Sequence, residues 1–236
     1  MQEKELKTSW KQRVIIMIIA VLIMGSFLAT YVIFVFSNSK NNKTDTSSTA
    51  DTSKTTEIEE RYQAKNTELS DYATANLSGK YLDTLAQYRT EVKAYNSTTA
   101  NSEGLKVRDL KTGDGKELAE GDTDYLAYYI GWCADESIFD SSFNDASNPT
   151  ALKNPISGNV GLIEGWNKGV VGMKLGGVRE LTIPGELAYK DTQEICGGTN
   201  SPLKFIVLTF SDSEYSKKEE ELNSIYQELI QAYSTN

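Results

Sequence analysis

An α+β class is predicted for this chain: a small, mainly β domain with one short helix, flanked by longer helices. Three observations predict it. Alternation of inward and outward residues is visible in Leu126–Trp132 and Leu203–Phe210, the two-residue period of strands with a face in a core. Gly- and Asp-rich punctuation such as Thr112-Gly113-Asp114-Gly115 separates such runs, as turns do. On both sides of this β-rich part, apolar residues recur at spacings of three and four, the period of an amphipathic helix.

Residues 1–13 form a basic tail with Lys4, Lys7, Lys11 and Arg13. Residues 14–36 follow as an uncharged apolar run, Val14 to Phe36. At about 1.5 Å of rise per residue it spans a hydrocarbon core of roughly 30 Å as a transmembrane helix. A cleaved signal peptide would have a shorter apolar core and a small-residue cleavage site. No such site follows, and no cysteine stands there to take a lipid, so an uncleaved anchor is expected. The basic flank places the N-terminus in the cytoplasm and the body outside it. Residues 37–56 are rich in Ser, Thr, Asn, Asp and Lys and read as a flexible tether.

Over 57–100 the pattern turns helical, with Leu77, Tyr81, Leu85, Tyr88, Val92 and Tyr95 on one stripe. A second stripe occupies 212–236: Tyr215, Leu222, Ile225, Tyr226, Leu229, Ile230 and Tyr233. These helices are expected to pack on each other or on the domain. The alternative is a homodimer arm or a cradle for client chains.

The net charge of −9 makes nucleic acid a poor partner, and the absence of histidine removes His-based triads, bases and metal ligands. Two cysteines, Cys133 and Cys196, are too few for a metal site without histidine. Asn42-Lys43-Thr44, Asn76-Leu77-Ser78 and Asn96-Ser97-Thr98 fit the glycosylation triplet, which is common by chance.

Four stretches then stand in a telling order: GLKVRDLKTGDGKELAEGDTDYLAYYIGW (Gly104–Trp132), IFDSS (Ile138–Ser142), GLIEGWNKGVVGMKLGGVRELTIPGELAY (Gly161–Tyr189) and SPLKFIVLTF (Ser201–Phe210). In this order and spacing the chain resembles the FKBP-type peptidyl-prolyl cis/trans isomerases over roughly Ser102 to Ser211, and the domain is set at 101–211. The resemblance implies a twisted antiparallel sheet wrapped around a short helix (Trp166 or Asn167 to Met173), a Gly176-Gly177 turn and a strand over Val178–Ile183. The binding cleft lies between helix and sheet. It also brings Cys133 and Cys196 to the same end of the domain, where a disulfide and two partly buried thiols both remain open.

The reaction so implied is rotation about an X-Pro amide, whose barrier of ~18–20 kcal/mol reflects amide resonance. No bond is cleaved, so neither nucleophile, metal nor cofactor is called for. A dry aromatic pocket that prefers the twisted amide suffices. The resemblance puts Trp166 at the pocket floor, with Tyr129, Phe139 and Phe205 as walls. Leu162 and Ile163 line a rim, the Ile163 N–H donates to a substrate carbonyl, and the Tyr189 hydroxyl donates a second bond. Asp140 sits against Tyr129 and presents negative charge near the twisting amide. Taken singly, the rings are more readily core, and Asp140 is as readily a turn or cap. The ordered blocks favour the site for Trp166, Tyr189, Asp140 and Phe139.

Three departures from the family pattern stand out. Asn148–Pro155 lacks an aromatic, leaving that side open or filled by Phe143. Asn144 and Asp145 replace a basic residue that would pair with Asp140. Lys190 and Ile195-Cys196-Gly197-Gly198-Thr199 replace a glycine and an apolar-Pro-Pro tip. The expected function is an isomerase acting on proline-containing segments of unfolded exported proteins, at a bacterial cell surface. The alternative is a membrane-tethered, client-binding chaperone module with weak or no isomerase activity.

Overall fold

The computed structural model describes residues 49–158 and 161–235. The expected tail, the anchor over 14–36 and most of the tether over 37–56 lie outside these residues. No described helix is long and apolar enough to cross a membrane.

The first element, α1 (Thr49–Ala73), begins inside the stretch expected to be tether. Low apolar content argues against a core but not against helix, which extends cheaply from an already formed turn. The chain divides into two compact units: residues up to Lys65 with Glu220–Asn236, and Asn66–Glu219. The helical segment expected over 57–100 is therefore shared between them.

In the first unit the described residues belong to α1 and to the last helix, α5 (Ser213–Thr235). Ile58, Leu222 and Ile225 are buried, and the Tyr62 and Tyr226 rings stand 6.0 Å apart. Arg61–Glu228 (2.9 Å) and Lys65–Glu221 (2.8 Å) pair beside them, and Tyr233 hydrogen-bonds Glu59. Here α1 and α5 pack on each other through the second stripe, with Leu222, Ile225 and Tyr226; the first stripe, Leu77 to Tyr95, lies in the other unit.

In the second unit α1 continues into a π-turn (Thr74–Ser78), then α2 (Gly79–Ala86) and a 3-10 turn (Gln87–Glu91). A short helix, α3 (Ser97–Ser102), is capped by the Asn96 side chain, which accepts from the Thr99 N–H at 2.8 Å. The strands are β1 (Lys106–Lys111), β2 (Leu126–Trp132), β3 (Ile138–Ser141), β4 (Ile156–Ser157), β5 (Val178–Ile183) and β6 (Leu203–Phe210). All pair antiparallel, in the order β1-β5-β6-β2-β3, with β4 also on β2.

The sheet buries both faces at its centre, because adjacent residues of β2 and β6 point opposite ways. One face takes Tyr128 and Phe210, on which Tyr81 of α2 packs, its ring 4.2 Å from that of Phe210. The other face carries Ala127, Leu181, Ile183, Leu203, Phe205 and Val207, and α4 (Glu164–Gly169) packs there. Gly165 and Gly169 make that approach possible. A Cβ at Gly165 would stand 2.2 Å from the Ile183 side chain, and one at Gly169 would stand 2.8 Å from Leu181.

This central helix was expected to run to Met173. It ends at Gly169 because Arg179 intervenes, its Nη1 donating to the carbonyls of Gly169 (2.9 Å) and Val171 (2.8 Å). Those carbonyls are then satisfied without another helical turn. Arg179 is itself buried and also holds Asp109 of β1 through Nε and Nη2, at 2.6 and 3.2 Å. It ties helix, β5 and β1 together.

Candidate active site

β2 supplies the first wall. Ala127 and Tyr129 share its inner face with Gly131, whose missing side chain makes room for two rings. A Cβ there would come within 2.8 Å of Phe205 and 2.9 Å of Phe139. Opposite, β3 is irregular: Gly131 pairs with Asp140 and Trp132 with Ile138, so Phe139 is an extra residue. A bulge of this kind re-aims side chains. Here it lets the consecutive residues Phe139 and Asp140 serve the same cleft, where regular alternation would have separated them.

Trp166 is the buried floor. Its ring meets Tyr129 edge-on at 5.6 Å and Phe205 at 5.4 Å, and Phe205 meets Phe139 at 5.5 Å. These near-perpendicular rings place positive edges against negative faces, the favoured aromatic geometry. The indole N–H donates to the Tyr125 hydroxyl at 3.2 Å, so the floor carries no unpaired polar atom. Leu162, Ile163 and Tyr189 are half-buried against the same apolar cluster, as are Leu187, Ile156 and Ile195.

Three polar groups border this apolar surface. The Tyr129 hydroxyl donates to one Asp140 carboxylate oxygen, and the Ser141 N–H donates to the other at 2.8 Å. Among the described residues no cation pairs with Asp140, and Asn144, where a basic residue was looked for, closes its own loop by accepting from Ala151 N–H at 2.9 Å. Among the described residues nothing partners the Tyr189 hydroxyl or the Ile163 N–H, while the Ile163 carbonyl accepts from Trp166 at 3.0 Å. Burial, then the Asp140 charge, holds the Tyr129 and Tyr189 phenols above the ordinary tyrosine range. Both remain donors at neutral pH.

The eight site residues read from the sequence (Tyr129, Phe139, Asp140, Leu162, Ile163, Trp166, Tyr189 and Phe205) thus converge. Phe143 does not join them. It is buried beneath the Arg89 guanidinium, 5.7 Å from the ring, and pairs with Leu152. The segment Asn148–Pro155 contributes anchorage: the Leu152 N–H donates to Ser78 Oγ and the Lys153 N–H to the Ser142 carbonyl, each at 2.8 Å. Cys133 and Cys196 are joined in a disulfide with Cα atoms 5.4 Å apart.

Two contributors escaped the sequence reading. Tyr125 stands four residues before Tyr129 and shares its face, which strand alternation would have indicated. Arg179 reads as one charge in a strand, and no local pattern betrays its burial. On the opposite face of the sheet, a depression of about 350 Å³ is bordered by Tyr95, Arg108, Glu180 and Lys204. Its charges are paired internally, Arg108–Glu180 at 2.9 Å and Lys204–Glu180 at 3.2 Å. It has no part in the cleft. Among the described residues no cluster of acidic residues and cysteines has metal-binding geometry.

Comparison with known proteins agrees with this geometry. Residues 115–208 match the family model described as FKBP-type peptidyl-prolyl cis-trans isomerase. An FK506-binding protein of Neisseria meningitidis serogroup B is 42% identical over 86 residues, which cover 36% of this chain and 74% of that protein. FK506-binding protein 4 of Neurospora crassa is 38% identical over 104 residues, 44% of this chain and 21% of its own length. Among solved structures, FkpA from Escherichia coli aligns with 78% of this chain and 81% of its own, at 24% identity and a TM-score of 0.39. The assignment stands on the sequence matches, not on that superposition: the chain belongs to the FKBP-type peptidyl-prolyl cis-trans isomerases.

Proposed function

We propose that this isomerase acts on X-Pro bonds of unfolded exported polypeptides while anchored in the membrane by residues 14–36. The observation that carries the reading is the cluster of Tyr129, Phe139, Phe205 and the buried Trp166, bordered by the Asp140 carboxylate and by two donors, the Tyr189 hydroxyl and the Ile163 N–H, that have no partner among the described residues. A proline ring fits an apolar floor of this kind. The X-Pro amide then lies beside Asp140, Tyr189 and the Ile163 N–H.

The substrate carbonyl takes the Ile163 N–H, and Tyr189 donates to a second carbonyl. Both donors are positioned before substrate arrives, so little reorganisation is needed when the amide twists. As resonance is lost, the amide nitrogen becomes pyramidal and the carbonyl carbon more electron-poor. The Asp140 carboxylate, oriented by Tyr129 and Ser141, favours that polarised state over the planar one. Exclusion of water by the aromatic walls strengthens each of these interactions. No proton or bond is transferred.

Placement outside the cytoplasm draws support from the apolar run, its basic flank and the Cys133–Cys196 disulfide, a bond that persists in oxidising compartments. Protease-free isomerisation kinetics on a series of X-Pro peptides, with D140A as the control, test the activity. Catalysis that falls at least ten-fold in D140A supports the mechanism. A well-folded wild-type protein that binds these peptides without isomerising them would instead be a client-binding module. Protease accessibility of the C-terminal body in intact cells tests the topology, and a protected body would overturn it.

A further inference from the structure

The loop from Lys190 to Asn200 follows Tyr189 directly and is held unlike any other part of the cleft. Its neck is closed by the Asn200 N–H donating to the Lys190 carbonyl at 2.6 Å. Beyond the neck, its hydrogen bonds among the described residues stay local. The Thr192 N–H returns to the Tyr189 carbonyl at 3.1 Å, and Ser201 donates to the Gly198 carbonyl at 2.9 Å. The tip is a tight turn in which Ile195 pairs with Gly198 around Cys196 (φ 59°) and Gly197 (φ 81°). Two successive positive φ values are those of a two-residue type I′ turn.

Glycine takes such angles freely, whereas Cys196, with a side chain, takes them at a cost. Two contacts oppose that cost. The Cys196 sulfur is bonded to Cys133, immediately after β2, and Ile195 is half-buried against the cluster containing Trp166 and Phe205. Cys133 stands two residues beyond Gly131, against which Phe139 and Phe205 pack. The sequence separation of 63 encloses Phe139, Asp140, Leu162, Ile163, Trp166 and Tyr189.

We propose that the Cys133–Cys196 bridge is a positioning element of the cleft: it pins the loop tip so that Ile195 completes the wall beside Phe139 and Phe205, and substrate capture depends on it. The proposal rests on the isomerase reading above. Opening the bridge leaves the floor and the Tyr129–Asp140 pair intact but frees the tip. Binding then weakens while the chemistry of the bound substrate persists, so KM moves and kcat does not.

The test uses the full-length protein in detergent, at a temperature where circular dichroism shows every variant folded. C133A/C196A, C133A/C196G and I195A are compared with wild type on the same X-Pro peptides, by isomerisation kinetics and by calorimetric Kd. C133A/C196A is expected to raise KM and Kd about five- to ten-fold, with kcat within two-fold, because a moderate apolar contact is lost. Glycine accepts the turn without a bridge, so C133A/C196G should recover part of that loss. I195A in the bridged protein should reproduce the loss. A folded C133A/C196A with wild-type KM and Kd would overturn the proposal and leave the bridge a mere cross-link. So would an equal failure of the alanine and glycine variants, or an I195A protein with wild-type values. If wild type binds the peptides but does not isomerise them, the isomerase reading falls and the bridge is judged on Kd. If wild type binds none, both fall.

Discussion

The two sides of the cleft are built on different principles. The floor, with Trp166, Tyr129, Phe139 and Phe205, stands on sheet and helix, and each ring is fixed by neighbours from other elements. The rim from Lys190 to Asn200 is tied at its ends, by Asn101 donating to the Asn200 carbonyl and by the Lys190–Glu164 pair. Between them its hydrogen bonds are local, and its tip, a turn with an unfavourable residue, has one covalent tie. Packing that many contacts determine tolerates the loss of one. A loop tip with few contacts beyond one tie loosens when that tie goes. The comparison teaches that the floor of the cleft is made of the same interactions that hold the fold, whereas the tip of the rim has a tie of its own.

Breaking the floor gives the largest effect. Trp166→Ala deletes a buried ring and leaves the Tyr125 hydroxyl without its donor, at a cost of about 3–5 kcal/mol. Unfolding in denaturant and isomerisation should both register the damage. A W166A protein of normal stability and full rate would refute the pocket.

Arg179→Met should come next, at about 3 kcal/mol. It leaves the Gly169 and Val171 carbonyls unsatisfied and frees Asp109. Because Arg179 lies behind the helix rather than in the cleft, the midpoint of unfolding should fall with KM little changed for the folded protein. A large KM effect with unchanged stability would instead place Arg179 in substrate binding.

Tyr189→Phe removes one hydroxyl and one hydrogen bond of roughly 1 kcal/mol, and should slow turnover about five-fold without lowering the thermal midpoint. Equal rates for the two proteins would take Tyr189 out of the reaction.

The smallest effect expected is that of pH. With no histidine in the chain and the Tyr129 and Tyr189 phenols raised by burial and the Asp140 charge, kcat/KM should be flat from about pH 6 to 9. A phenol whose folded pKa exceeds its unfolded value contributes stability that is whole below pH ~10 and is lost as pH rises through the folded value. The thermal midpoint should therefore decline on the alkaline side. An inflection in kcat/KM near neutrality would mean that some other group controls the reaction.

Much of this architecture was legible from residue order. The strands expected over Leu126–Trp132, Val178–Ile183 and Leu203–Phe210 have those limits in the structure. Alternation, a local property, marked the first and the last of these, whereas Val178–Ile183 was read from the family resemblance. The helical stripes are local in the same sense, and Leu77, Leu85, Leu222 and Ile225 are buried as an amphipathic period demands. The first stripe nevertheless ends early: Tyr88 lies in a 3-10 turn, Val92 is extended and Tyr95 is outside any helix. The cleft rings were named because the ordered blocks around them resemble a known family, not because any ring announces its role.

What the tertiary structure alone decided are the contacts that cross the chain. The central helix stops at Gly169, not Met173, because a guanidinium ten residues further on takes its carbonyl. The bulge at Phe139 depends on how β3 is set against β2, and a register is a property of two strands together. Phe143 turns away from the cleft because Arg89 and Leu152 meet it elsewhere. The sequence left the pairing of Cys133 with Cys196 open, since a disulfide needs two Cα atoms within reach and reach is a matter of three dimensions. Periodicity and composition determined which faces are apolar. Only the folded arrangement determined what each face meets, because burial, capping and cross-linking are relations between residues far apart in the chain.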